Sequence, residues 1–159
     1  MSLEKEIHQK EFKNDYQRAI INIIYTHNCL VDKMSMVFEE FDLTLQQYNV
    51  LRILKGQYPK ACSINLIKER MMNKMSDASR IAERLQQKGL IARSTCNHDK
   101  RATDVNITIK GLQLLEKMEH RVDQFEVFLH NLTASEVRQL NTLLDKSRMP
   151  VLDRVVIQK

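Results

Sequence analysis

Arg80 and Arg84 stand four residues apart in the stretch SDASRIAERLQQKGL, and helical spacing would put both on one face. A guanidinium is a planar fork of donors, so either can meet guanine O6 and N7 or clamp a phosphate. Ser76 and Ser79 lie near the start of the same stretch, where short donors and the helix dipole both favour an anion. Asp77 is the odd member: it can accept from cytosine N4 or cap the helix, and the cap is the favoured reading. Further on, Asp99, Lys100 and Arg101 fall together in a polar loop, NHDKRAT. All this chemistry is recognition of a polyanion with readable edges.

Charge distribution agrees. Residues 60–110 hold eleven Lys and Arg against five Asp and Glu, a net of +6, while the rest of the chain holds fourteen against fifteen. The whole formal excess of +5 therefore sits in one third of the chain. Such localisation fits a nucleic-acid-binding face better than a general basic surface, although a helical domain can also carry one solvated basic side.

These residues need a helix, a turn before it and a hairpin after it. Ser63 can cap a short helix to about Met71, and Met72–Met75 reads as a turn into a helix beginning near Ser76. Ala78, Ile81, Ala82 and Leu85 form its apolar stripe, and Gly89 suits the left-handed position after its end. Two alternating strands follow, IARSTC and DVNITI, with Val105, Ile107 and Ile109 expected on one face. The result is a helix-turn-helix with a basic hairpin, or wing, beside it.

The flanks are helical. From Glu4 to Lys55 there is no Gly or Pro, and apolar residues recur every three or four positions from Phe12 to Phe41, which predicts one long amphipathic helix. Thr44 and Gln47 form a capping box for a helix to about Lys55, with Leu43 and Tyr48 placed as a hydrophobic staple. Thr108 is expected to cap a helix to about His130, and Thr133 with Glu136 to box a last helix before Pro150. The first helix is too long for a small monomer to cover, so it implies a partner.

Other classes find little support. No Gly-rich phosphate loop, nucleophile motif or carboxylate cluster stands in the sequence, so no enzyme is expected and no cofactor. Cys96 and His98 have no second ligand pair nearby, so no metal is expected. Cys29, Cys62 and Cys96 are odd in number and far apart, which suggests reduced thiols. The charged N-terminus lacks the apolar core of a signal peptide, and no run approaches about 18 apolar residues. A cytoplasmic protein without a membrane partner is expected.

In this order and spacing the motifs resemble the MarR family of bacterial transcription regulators, from about Phe12 to Leu144. The residues that carry the likeness are Ser79-Arg80, the run Leu85-Gln86-Gln87-Lys88-Gly89-Leu90-Ile91, the wing motif Asp99-Lys100-Arg101, and Thr108-Ile109-Lys110-Gly111. The resemblance implies a mostly α fold with a small β-hairpin wing. It implies a single protomer over 1–159, with 44–110 as a DNA-binding lobe and 1–43 with 111–159 as a helical dimerisation region. Two copies would hold their reading helices about 34 Å apart on a pseudo-palindromic duplex.

The resemblance also implies roles. Arg101 would enter a narrow minor groove, oriented by Asp99, with Lys100 attracting phosphate. Ser63, Asn73 and Lys74 would touch the DNA backbone. A small aromatic effector would lie between dimer base and reading lobe, and Tyr25, His27, Cys29, Tyr48 and Arg52 are the candidate lining. Some relatives sense peroxide through a Cys near the start of the first helix. Here Ile20 or its neighbours occupy that region and Cys29 lies more than two turns further on, which argues against that mechanism. A thiol switch at Cys29, Cys62 or Cys96, and a winged helix that docks protein without DNA, stay as alternatives.

Overall fold

Nearly every helix begins where a side chain can satisfy its free backbone donors. The computed structural model describes residues 2–73, 75–95 and 103–150. Its helices are α1 (Leu3–Glu6), α2 (Asp15–Glu39), α3 (Leu45–Lys55), α4 (Ile64–Arg70), α5 (Ala78–Gln87), α6 (Ile109–Asp123) and α7 (Ala134–Ser147), with a 3-10 helix at Gln124–Leu129. The strands are β1 (Cys62–Ser63), β2 (Ile91–Thr95) and β3 (Thr103–Ile107). The chain divides into two units, one through Asp123 and the other from Gln124 onward.

Local chemistry sets the boundaries. Asn14 caps α2 by accepting from the Gln17 amide at 2.9 Å. The expected capping box opens α3: the Gln47 amide donates to Thr44 Oγ1 and the Thr44 amide donates to Gln47 Oε1. Ser63 Oγ accepts from the Leu66 amide and starts α4. Thr108 Oγ1 accepts from the Gly111 amide at 3.1 Å at the start of α6. Each such bond satisfies a donor that the helix itself leaves unpaired.

The three strands form one antiparallel sheet in the order β1-β3-β2, with Cys62 opposite Val105 and Ile91 opposite Ile107. A third strand was not expected from the sequence. Its two residues are too few to show an alternating pattern, and they pair with Val105 and Asp104, far along the chain. Ile109 is a correction: it opens α6 and is exposed instead of extending the strand face.

The core of the first unit joins α3, α4, α5 and the sheet. Val50, Leu51, Leu54, Ile67, Ala82, Leu85 and Val105 are essentially sealed from water. Leu115 and Met118 bring α6 onto it, and Phe38 brings the C-terminal end of α2. Gly111 is required by that packing: a Cβ there would stand 2.3 Å from the Leu90 carbonyl oxygen and 2.7 Å from Ile107 Cγ1.

Two boundaries differ from the sequence reading. A one-turn α1 precedes α2, with Leu3 buried and Glu4 paired to Arg18 at 2.8 Å. α6 stops at Asp123, short of His130, and a 3-10 helix follows. That segment, QFEVFL, carries two Phe and a Val, residues of lower helix propensity.

Candidate nucleic-acid interface

α5 is a short helix held at both ends with one face left bare. At its N-terminus Asp77 Oδ1 accepts from the Arg80 amide at 3.0 Å, so Asp77 is the cap. The turn before it is also tied down. Asn49 of α3 accepts from the Met72 amide at 3.2 Å, and Asn73 Oδ1 accepts from the Met75 amide at 3.0 Å. Asn49 went unnoticed in the sequence because its partner lies 23 residues away.

The C-terminal end is fastened more heavily. Gly89 takes φ of +71°, the left-handed turn that lets the chain leave α5 for β2. Thr108 Oγ1 donates to the Gly89 carbonyl at 2.8 Å, and Lys110 Nζ donates to the Lys88 carbonyl at 2.8 Å. Lys88 Nζ in turn meets the Asp42 carboxylate at 2.9 Å and also donates to the Asp42 carbonyl. α5 is thereby joined to the turn that follows α2.

Ala78, Ala82 and Leu85 are buried, and the opposite side exposes Ser79, Arg80, Glu83, Arg84 and Gln87. Arg80 and Arg84 both line a cavity of about 270 Å³ beside the N-terminus of α3. Glu83 and Gln87 were not singled out in the sequence, although their helical spacing from Arg80 places them on the same side. Ser76 is half-buried just before the Asp77 cap and Ser79 is exposed in the first turn of α5. Ser63 is half-buried with its hydroxyl engaged as the α4 cap. Lys74 and the wing residues Asp99, Lys100 and Arg101 lie outside the described residues.

The effector candidates separate. Tyr48 and Arg52 line a cavity of about 450 Å³ between α3 and α6, together with Lys55, Leu115, Glu119 and Asp123. The Tyr48 ring stacks on Phe38 with centroids 4.7 Å apart, and the Arg52 guanidinium stands 6.0 Å from the Tyr48 ring centre. Tyr25 belongs elsewhere: its hydroxyl donates to Glu6 Oε2 at 2.9 Å. The Glu6 carboxylate, with some desolvation, pushes the Tyr25 phenol up to about 12. Cys29 adjoins Tyr25, and His27 is exposed. About 20 Å of helix separates Tyr25 from Phe38 at the normal rise per residue. One protomer therefore does not gather the five candidates into one site. The acidic wall of the cavity, Glu119 and Asp123, comes from a helix the sequence could not pair with α3.

Cys62 is fully buried, and that burial pushes its thiol up against the opposing influence of Arg70. A group so placed is a poor nucleophile. Cys29 is half-buried. Among the described residues no group of three or more His, Cys, Asp or Glu could hold a metal ion. No described helix is long and apolar enough to cross a membrane.

The sequence model of the MarR family matches residues 43–103, which contain this interface. The chain is 30% identical to the HTH-type transcriptional repressor IacR of Pseudomonas putida over 131 residues, 82% of this chain and 74% of that protein. The fold is similar to that of a MarR transcription factor from Planctomyces limnophilus, with TM-score 0.67 and 30% identity over 86% of this chain and 99% of the other. It is also similar to that of a mutant MarR from E. coli complexed with operator DNA, with TM-score 0.76 and 23% identity over 88% and 100% of the two chains.

Proposed function

The chain belongs to the MarR family of transcription regulators, and from that premise we propose that it is a homodimeric repressor reading a pseudo-palindromic site on double-stranded DNA. The observation that carries this reading is α5. It is capped by Asp77, locked at Lys88 and Gly89, and bares Arg80 and Arg84 in the most basic third of the chain.

In this reading Arg80 and Arg84 meet base edges or phosphate in the major groove, with Ser76 and Ser79 as short donors at the helix entry. Asn73 and Lys74 take backbone phosphates from the turn, and Ser63 does so from the start of α4. Asp77 orders the reading helix through its cap. Asp99, Lys100 and Arg101 extend the grip to the adjacent minor groove. Residues 44–110 are the reading lobe, and 1–43 with 111–159 form the dimer base.

The dimer is supported by bare apolar surface. Tyr16, Ile20 and Ile23 share one side of α2 and all are at least half exposed, while α7 contains no buried residue. In this reading the effector enters the cavity at Tyr48 and Arg52, a reading supported by a wall where an aromatic ring can stack and Arg52 or Lys55 can meet an acid group. Tyr25, His27 and Cys29 would join such a site only through the second protomer.

Binding to the intergenic DNA upstream of its own gene, at about 50 and 200 mM salt, tests the reading. Six or more phosphate contacts predict a loss of roughly 10³-fold in affinity across that interval. Arg84→Ala and Arg101→Ala should each weaken binding. No specific, salt-sensitive complex with any duplex would leave a winged helix that docks protein instead.

A further inference from the structure

Met75 is the most exposed large apolar side chain among the described residues, at 93%. It stands in the turn between α4 and α5, two positions before the Asp77 cap. The turn is anchored by Asn73, whose Oδ1 accepts from the Met75 amide and whose carbonyl accepts from the Ser76 amide at 3.2 Å. Met75 lines a cavity of about 450 Å³ together with Lys68, Ser76 and Ser79. An apolar chain is thus presented to water at the entry of α5, beside Lys68 and Asp77 and in the most basic third of the chain.

Resting on the DNA-reading function, we propose that Met75 is a specificity-determining residue that covers the 5-methyl group of a thymine in the major groove. The surrounding charge favours a duplex over a protein surface, and the thymine methyl is the one apolar group on the base edges of that groove. Methionine suits the contact because its unbranched, polarizable chain adapts to the position of a methyl group. Arg80, Arg84 and Ser79 can read donors and acceptors. Met75 adds a reading that hydrogen bonds cannot supply, the presence of a methyl group.

The test uses the full chain and a duplex it selects from a random-sequence pool. Each thymine of that duplex is replaced in turn by deoxyuridine, which deletes the methyl and leaves the hydrogen-bonding pattern unchanged. We expect one thymine per half-site at which replacement weakens binding about fourfold, the factor for losing burial of one methyl-sized group. Met75→Ser removes the contact from both half-sites, so it should bind the thymine duplex about sixteenfold more weakly and be indifferent to the replacement. Met75→Leu should keep the discrimination and serves as the folding control. A wild-type protein indifferent to every replacement overturns the proposal, as does equal sensitivity in Met75→Ser. Failure to enrich any duplex overturns the DNA-reading function itself, and Met75's role with it.

Discussion

α3 and α7 are both capped amphipathic helices with a complete capping box, yet they end in opposite environments. α3 has eleven residues and buries four of them; α7 has fourteen and buries none. α2 repeats the contrast within one helix: Phe38 at its C-terminal end is sealed, while Tyr16, Ile20 and Ile23 on the same side near its N-terminus are bare. The first unit closes one core around α3, α4 and α5, while α7 and the N-terminal part of α2 carry an apolar pattern that stays exposed. Capping and amphipathicity start a helix, but tertiary burial supplies most of its stability.

The largest effect should come from charging the bare stripe. Ile20→Asp combined with Ile23→Asp would place four carboxylates in the proposed two-fold interface. Each isoleucine also forgoes burial of about 1.5–3 kcal/mol. Sedimentation should then show a monomer at concentrations where the wild type is a dimer, and DNA affinity should fall at least about 100-fold. A double variant that stays dimeric would show that the apolar side of α2 faces something else.

The converse change belongs to the lobe. Ile67→Ala should cost about 2–5 kcal/mol in urea unfolding through the cavity it leaves, with dimerisation unaffected while the chain is folded. If Ile67→Ala dissociated the dimer before unfolding, the core around α4 and the bare stripe of α2 would not be independent of one another. Next in size is Arg84→Ala. It should weaken operator binding by about 1–3 kcal/mol and relax the preference at one base position, with little change in stability. Loss of affinity without loss of preference would make Arg84 a phosphate clamp.

What was legible in the sequence was local. The boxes at Thr44–Gln47 and Thr133–Glu136, the Ser63 cap and the turn at Gly89 are each decided within a few residues, and the structure has all four. What was not legible depended on partners distant in sequence. β1 exists because Cys62 and Ser63 find Val105 and Asp104. Asn49 fixes a turn 23 residues away, and the effector candidates separate because Tyr25 finds Glu6 while Tyr48 finds Phe38. Alternation puts Ile109 on a strand, but the Thr108 cap wins, because a cap satisfies donors that alternation leaves open.

The two boxes differ in one atom type, and that difference predicts the smallest and most local effect. α3 closes on the amide of Gln47, which does not titrate. α7 closes on the carboxylate of Glu136, which accepts from the Thr133 amide at 2.7 Å and from its hydroxyl at 2.8 Å. Those bonds, the backbone one foremost, hold the Glu136 carboxyl below its ordinary value of 4.5. A depressed carboxyl contributes stability that is present above its unfolded value and lost as pH falls through the folded one. Amide hydrogen exchange, corrected for intrinsic rates, should therefore show the first turn of α7 losing protection as pH drops below about 4.5, the ordinary carboxyl value. The first turn of α3 should hold. Glu136→Gln should make the two helices alike by removing the pH dependence while keeping an acceptor at the same position. If α3 lost protection in step with α7, the transition would be global acid unfolding, and the independence of the two regions would fail.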